Sequence, residues 1–101
     1  MGLQKKYIKS GTVCKVTFSL SKEAAGDAKS VYLVGDFNNW DTDASPMKAL
    51  KSGIHKVAIN LESGNEYKFK YVIDGDKWEN DWDADNYVPN EYGSEDSVVI
   101  V

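Results

Sequence analysis

A strict two-residue alternation of apolar and polar positions starts at Thr12. Cys14, Val16, Phe18 and Leu20 fall on one side, with Lys15, Thr17 and Ser19 on the other, which predicts a strand with one buried face. The same period returns twice. His55, Val57, Ile59 and Leu61 alternate with Lys56, Ala58 and Asn60, and Tyr67, Phe69, Tyr71 and Ile73 alternate with Lys68, Lys70 and Val72. Shorter apolar runs add four more strands. Val31 to Val34 is β-branched, aromatic or aliphatic and stops at Gly35. Met47 to Leu50 follows Pro46, which confines it to an edge or a strand start. Lys77-Trp-Glu79 is a short returning strand, and Ser97 to Val101 is apolar enough to be central or covered on both faces. Turn signals stand between them at Lys51-Ser-Gly53, Glu62-Ser-Gly-Asn65 and Asp74-Gly75.

Three segments lack this order. Residues 1–11 are polar and end in Ser10-Gly11, a flexible lead-in. Ser21 to Ser30 contains Lys-Glu-Ala-Ala, but Gly26-Asp27 interrupts it, so it reads as a loop. Asn80 to Ser94 has no sustained period and reads as a long ordered loop, a frequent location of function in small domains. The expectation is therefore all-β: an immunoglobulin-like antiparallel β-sandwich of about seven strands, formed as one domain by residues 12–101. The Cys…Trp…Cys spacing of a true immunoglobulin domain is absent.

Composition narrows the function. At 101 residues the chain suits one core. A net charge of −4 repels a phosphate backbone and offers no basic patch, so nucleic acid is not an expected partner. The single cysteine, Cys14, falls on the core side of its strand and cannot close an internal disulfide, which suits a reducing, cytoplasmic location. Met1-Gly-Leu-Gln-Lys-Lys has no apolar run behind it, so neither a signal peptide nor a membrane association is expected. The myristoylation pattern beginning Met1-Gly2 fails at Lys6.

The residues that carry chemistry point away from catalysis. His55 stands alone on the apolar phase of its strand, where a partly buried, hydrogen-bonded histidine is the simpler reading than a general base. Asp81, Asp83 and Asp85 match the first three alternating positions of a calcium loop. Asn86 then stands where that loop needs glycine, and Tyr92 where it needs a closing glutamate, so no metal or other cofactor is expected. What remains is an aromatic and hydrogen-bonding set: Trp40, Trp78, Trp82, Tyr87 and Tyr92 with Asn38, Asn39, Lys68, Lys70, Asn90 and Asp96. A sugar ring presents an apolar C–H face and a rim of hydroxyls, and this set supplies both flat surfaces and polar partners. Trp40, amid Asp and Asn, is either a lid on the core or a binding platform.

Three motifs resemble a known family: Val31-Tyr-Leu-Val-Gly-Asp-Phe-Asn-Asn-Trp40, Phe69-Lys-Tyr-Val-Ile-Asp-Gly75 with Trp78 after it, and Tyr87-Val-Pro-Asn-Glu-Tyr-Gly-Ser94 leading into the last strand. In this order, over residues 12–101, they are similar to the family 48 carbohydrate-binding modules. These include the glycogen-binding domain of the AMP-activated protein kinase β subunit and the N-terminal domains of isoamylase and branching enzymes. The resemblance implies an early-set sandwich that binds α-1,4-glucans such as glycogen or starch without catalysis. It implies stacking roles for Trp40 and Trp78 and a sugar hydrogen bond from Lys70, whose ammonium strand alternation places in solvent. Tyr92, Ser94 and Asp96 stand where the kinase domain carries leucine, threonine and asparagine that contact sugar. The alternative from another class is a protein-interaction module that docks on a glucan-metabolising enzyme or kinase without itself binding sugar.

Overall fold

A computed structural model describes residues 2–101 and places nine strands in two antiparallel sheets. The strands are β1 (Gly2–Ile8), β2 (Val13–Leu20), β3 (Val31–Gly35), β4 (Lys48–Ala49), β5 (His55–Glu62), β6 (Glu66–Ile73), β7 (Lys77–Glu79), β8 (Asn86–Pro89) and β9 (Glu95–Ile100). One sheet runs β1-β2-β5-β4. The other runs β3-β6-β9-β8, with β7 also paired to β6. The apolar sides predicted for β2 and β6 face each other across the sandwich. Cys14, Val16, Phe18 and Leu20 meet Phe69, Tyr71 and Ile73, joined by Val31, Leu33, Leu61 and Val99. Phe18 packs edge-on to Phe69 with ring centroids 5.0 Å apart, and Phe69 edge-on to Tyr71 at 5.8 Å. Each such pair is worth about 0.5–1.5 kcal/mol beyond the area it buries. On β5, His55 and Leu61 are buried and Val57 and Ile59 pack against the core from a half-buried position. His55 Nδ1 has no hydrogen-bond partner, so the hydrogen-bonded histidine expected from the sequence is corrected at that atom.

The two strands beyond the seven expected come from segments whose sequence hides their pairing. β1 lies within the segment read as a flexible lead-in. Its pattern is uninformative because it is an edge strand with most of its side chains in solvent, yet it pairs with β2 from Gly2↔Ser19 to Ile8↔Val13. Met1 lies outside the described residues. β8 lies in the segment read as a long loop and pairs only with β9, along the other sheet's edge. A smaller difference concerns the loop Ser21 to Ser30. It contains one helical turn, Lys22–Ala25, because Ser21 Oγ accepts the Ala24 N–H at 3.2 Å and Ala24 and Ala25 turn into the core. Pro46 acts as expected. It bridges to Tyr32 at the β3 edge just before the chain crosses to β4, the edge strand of the first sheet.

The face of the second sheet turned away from the core is not simply wet. Alternation puts Val34, Val72 and Val98 there with Lys70 and Asp96, and all three valines are buried. Gly35 ends β3 at a close approach. A Cβ there would stand 2.5 Å from the Lys68 carbonyl oxygen and 2.9 Å from the Phe37 ring, so no larger residue fits between the β3 end and β6.

A groove lined by two tryptophans on the outer sheet face

The chain leaves Gly35 through one 3-10 turn, Asp36–Asn38, and reaches Trp40 with two consecutive residues in the left-handed region, Asn39 at φ 57° and Trp40 at φ 56°. A bulky residue rarely holds that conformation. Here the surroundings fix it. The Trp40 N–H donates to the Gly35 carbonyl at 2.9 Å, and the Trp40 Nε1–H donates to Asp36 Oδ1 at 3.0 Å. Asp36 Oδ2 in turn accepts the Lys68 backbone N–H at 2.9 Å, which ties the turn to β6. Asn38 holds the turn from inside. Its amide donates to the Leu33 carbonyl and to Ser45 Oγ, and its Oδ1 accepts the Gly35 N–H. Asn38 therefore builds the platform, and neither it nor Asn39 lines the groove described next, a correction to the polar set read from the sequence.

A groove of about 810 Å³ lies on this sheet face, lined by Trp40, Lys70, Trp78, Tyr92, Ser94 and Asp96, together with Asp36, Lys68, Pro89, Asn90 and Glu91. The fold thus brings to one place all six residues that the family resemblance singles out, while Trp82 and Tyr87 of the wider aromatic set do not line the groove. Register explains the order. Trp78 sits opposite Val72 on β6, and the Asp36 turn is bonded at Lys68, so Lys70 falls between the two tryptophan levels. Trp78 is 46 % exposed and Trp40 half-buried, so both indoles remain available at the surface. The turn that leads from β6 to Trp78 has left-handed φ at both Asp74 and Gly75. Asp74 is fixed by accepting the Lys29 and Ser30 N–H groups at 2.8 and 3.0 Å, which hold its carboxyl below the usual range.

The polar floor is a small network. Lys70 Nζ lies 3.9 Å from Asp96 Oδ1, with side chains only 12 % and 14 % exposed, so the expected solvent-exposed ammonium is corrected: it is recessed beside a carboxylate. The same Asp96 oxygen accepts the Asn90 amide at 3.0 Å. Asn90 Oδ1 receives the backbone N–H groups of Tyr92 and Ser94, which shapes the hairpin tip between β8 and β9 and leaves Tyr92 84 % exposed above the groove. Sequence reasoning missed Asp36, Pro89 and Glu91 as lining residues. For Asp36 the signal is present in hindsight, a carboxylate four residues before a tryptophan across a turn, but the indole's direction is not legible in one dimension.

Behind this hairpin, Asp81 of the acidic run turns inward. It is fully buried. Tyr71 O–H donates to its Oδ2 at 2.7 Å, and Asp83 N–H donates to its Oδ1 at 2.8 Å. Burial pushes the Asp81 carboxyl up, against the pull of those two donors. Burial pushes the Tyr71 hydroxyl well above its ordinary range, reinforced by the charge of Asp81. With Asp81 turned inward to Tyr71, the alternating carboxylates do not converge on one point, and no cluster of metal-ligating residues occurs among the described residues.

The arrangement sets two surface indoles around a recessed amine–carboxylate pair on a β-sandwich. The comparisons place the chain among carbohydrate-binding modules. The profile described as the glycogen recognition site of AMP-activated protein kinase matches residues 16–101, and the chain belongs to that family, a non-catalytic class of module. It is 32 % identical over 76 residues to the AMP-activated protein kinase subunit beta-1 of Sus scrofa, covering 75 % of this chain and 57 % of that subunit. It is 34 % identical over 77 residues to a 1,4-alpha-glucan branching enzyme of Photobacterium profundum, covering 74 % of this chain and 11 % of that enzyme. A branching enzyme of Emericella nidulans is 44 % identical over 43 residues, 43 % of this chain and 6 % of the enzyme. The chain thus spans a small part of these branching enzymes and over half of the kinase subunit.

Proposed function

We propose that this module binds α-1,4-glucans, whether glycogen, starch or maltooligosaccharides, in the groove between Trp40 and Trp78, and performs no catalysis itself. The observation that carries this reading is the placement of Lys70 and Asp96 on the floor between two surface indoles. A glucose ring lays its C–H face on an indole while its hydroxyls take hydrogen bonds from the Lys70 ammonium and give them to Asp96, with Ser94 and Tyr92 closing the hairpin side. The carboxylate tether on Trp40 fixes the ring plane before ligand arrives, so little side-chain entropy is lost on stacking. Each stacked ring contributes about 0.5–1.5 kcal/mol beyond its area. Two rings and a few partly wet hydrogen bonds give a dissociation constant in the millimolar to high-micromolar range, about −4 to −6 kcal/mol. The lone buried Cys14 supports a reducing, cytoplasmic setting.

Titration with maltoheptaose, followed by tryptophan fluorescence, tests the reading. Trp40→Ala and Trp78→Ala should each weaken binding severely while the domain stays folded. A wild-type domain whose fluorescence does not respond, but which captures a glucan-metabolising enzyme or kinase, would favour the docking alternative. That alternative draws support from relatives in which the matched region is one part of a larger protein.

A further inference from the structure

A second flat aromatic surface stands outside the groove. Trp82 is 53 % exposed and does not line the cavity between Trp40 and Trp78. Its Nε1–H points to Glu79 Oε1 at 3.4 Å, the same kind of carboxylate tether that Asp36 gives Trp40. Alternation along β7 puts Glu79 on the opposite face from Trp78, so the indole tied to Glu79 stands on the far side of that strand from the groove.

Single exposed aromatics are common and by themselves say nothing. Trp82 differs because both of its chain neighbours are pinned. Asp81 is buried and bonded to Tyr71; its N–H donates to Ser97 Oγ at 2.9 Å and its carbonyl accepts the Tyr87 hydroxyl at 2.6 Å. On the other side the Asp83 N–H is held by Asp81 Oδ1, and the Ala84 N–H by the Tyr87 oxygen at 3.2 Å. The indole is thus mounted on a fixed loop with its one polar group directed to the protein, which leaves the apolar ring for a ligand. The surroundings are hydrogen-bond acceptors. Glu79 Oε2 makes no hydrogen bond among the described residues, and Asp83 is exposed next to Trp82 in the chain. A hydroxyl-rich ring finds here both a stacking face and acceptors.

We propose that Trp82, backed by Glu79, is a second glucan platform, so that one module contacts a long or branched α-glucan at two separated places. This rests on the reading of the groove as the primary glucan site. Two weak contacts to one polymer raise the apparent affinity for polysaccharide through effective concentration, and leave the groove's affinity for a short ligand unchanged.

The three indole N–H resonances of the full chain, followed by NMR during titration with β-cyclodextrin, test this without any substitution. Trp40 and Trp78 should move together and Trp82 should move in a separate, weaker titration. Trp82→Ala should leave the groove's β-cyclodextrin affinity unchanged and reduce retention in a glycogen-containing native gel severalfold. A Trp82 resonance that stays still while the other two saturate, or unchanged glycogen retention of the Trp82→Ala variant, overturns the second platform and leaves the groove standing. If none of the three resonances moves, the groove reading fails first and takes this one with it.

Discussion

Replacing Lys70 by methionine removes one charge and keeps the aliphatic stem, so it separates the electrostatics of the groove floor from its packing. The cost to the fold follows from the geometry. At 3.9 Å and an effective dielectric constant of about 20, the attraction between Lys70 and Asp96 is about 4 kcal/mol before desolvation. Burying both groups to 12 % and 14 % exposure costs a comparable amount, several kcal/mol per ion when burial is complete. The net loss of stability in Lys70→Met is therefore about 1 kcal/mol, and Asp96 keeps the Asn90 amide as a partner. Binding should suffer more. A hydrogen bond from a charged donor to a sugar hydroxyl is worth about 1.5–3 kcal/mol, a rise in dissociation constant of about tenfold or more. Urea unfolding read by fluorescence gives the first quantity and calorimetric titration with maltoheptaose the second. If Lys70→Met binds like the wild type while Trp40→Ala and Trp78→Ala do not, the glucan stacks on the indoles without crossing this floor, and the role assigned to Lys70 is wrong.

Three further outcomes follow from the fold. Tyr71→Phe strips the buried Asp81 carboxylate of its hydroxyl donor and Asp81→Ala leaves the Tyr71 O–H orphaned; each should cost about 1–3 kcal/mol in urea unfolding. The double variant should cost less than their sum, and strict additivity would show that the two groups do not act as a pair. Gly35→Ala should destabilise by more than about 2 kcal/mol, because its methyl meets the Lys68 carbonyl at 2.5 Å and that backbone is held in the sheet; a neutral effect would show that the β3 end shifts freely. Asp74, whose carboxyl is held below its ordinary value near 3.8, contributes stability that is present above that pH and is lost as pH falls through the lowered value. Asp74→Asn should therefore flatten the acid limb of the melting temperature below about pH 4, and an unaltered acid limb in that variant would remove Asp74 as its cause.

The sequence by itself determined the class of fold, because the strands that form the core announce themselves. β2 and β6 each bury one face, so Cys14 to Leu20 and Tyr67 to Ile73 must alternate, and a one-residue slip would turn every large side chain into water. The turns at Gly53, Gly64 and Gly75 are equally legible because each glycine adopts a left-handed φ that other residues resist. Edge strands leave no such trace. β1 and β8 make backbone hydrogen bonds on one side and present most of their side chains to solvent, so pairing alone decides that they exist. The site was legible as a set of residue types and motifs, but not as a geometry. That Trp40 is a tethered platform with Asn38 as its inner brace depends on the direction in which a turn projects its side chains, and that Lys70 is recessed beside Asp96 and Asp81 lies buried against Tyr71 depends on contacts between residues distant in the chain. Sequence constrains residue type and period. Only the packing of the two sheets decides which polar group loses its water, and so which carboxylate becomes a structural clasp and which the floor of a groove.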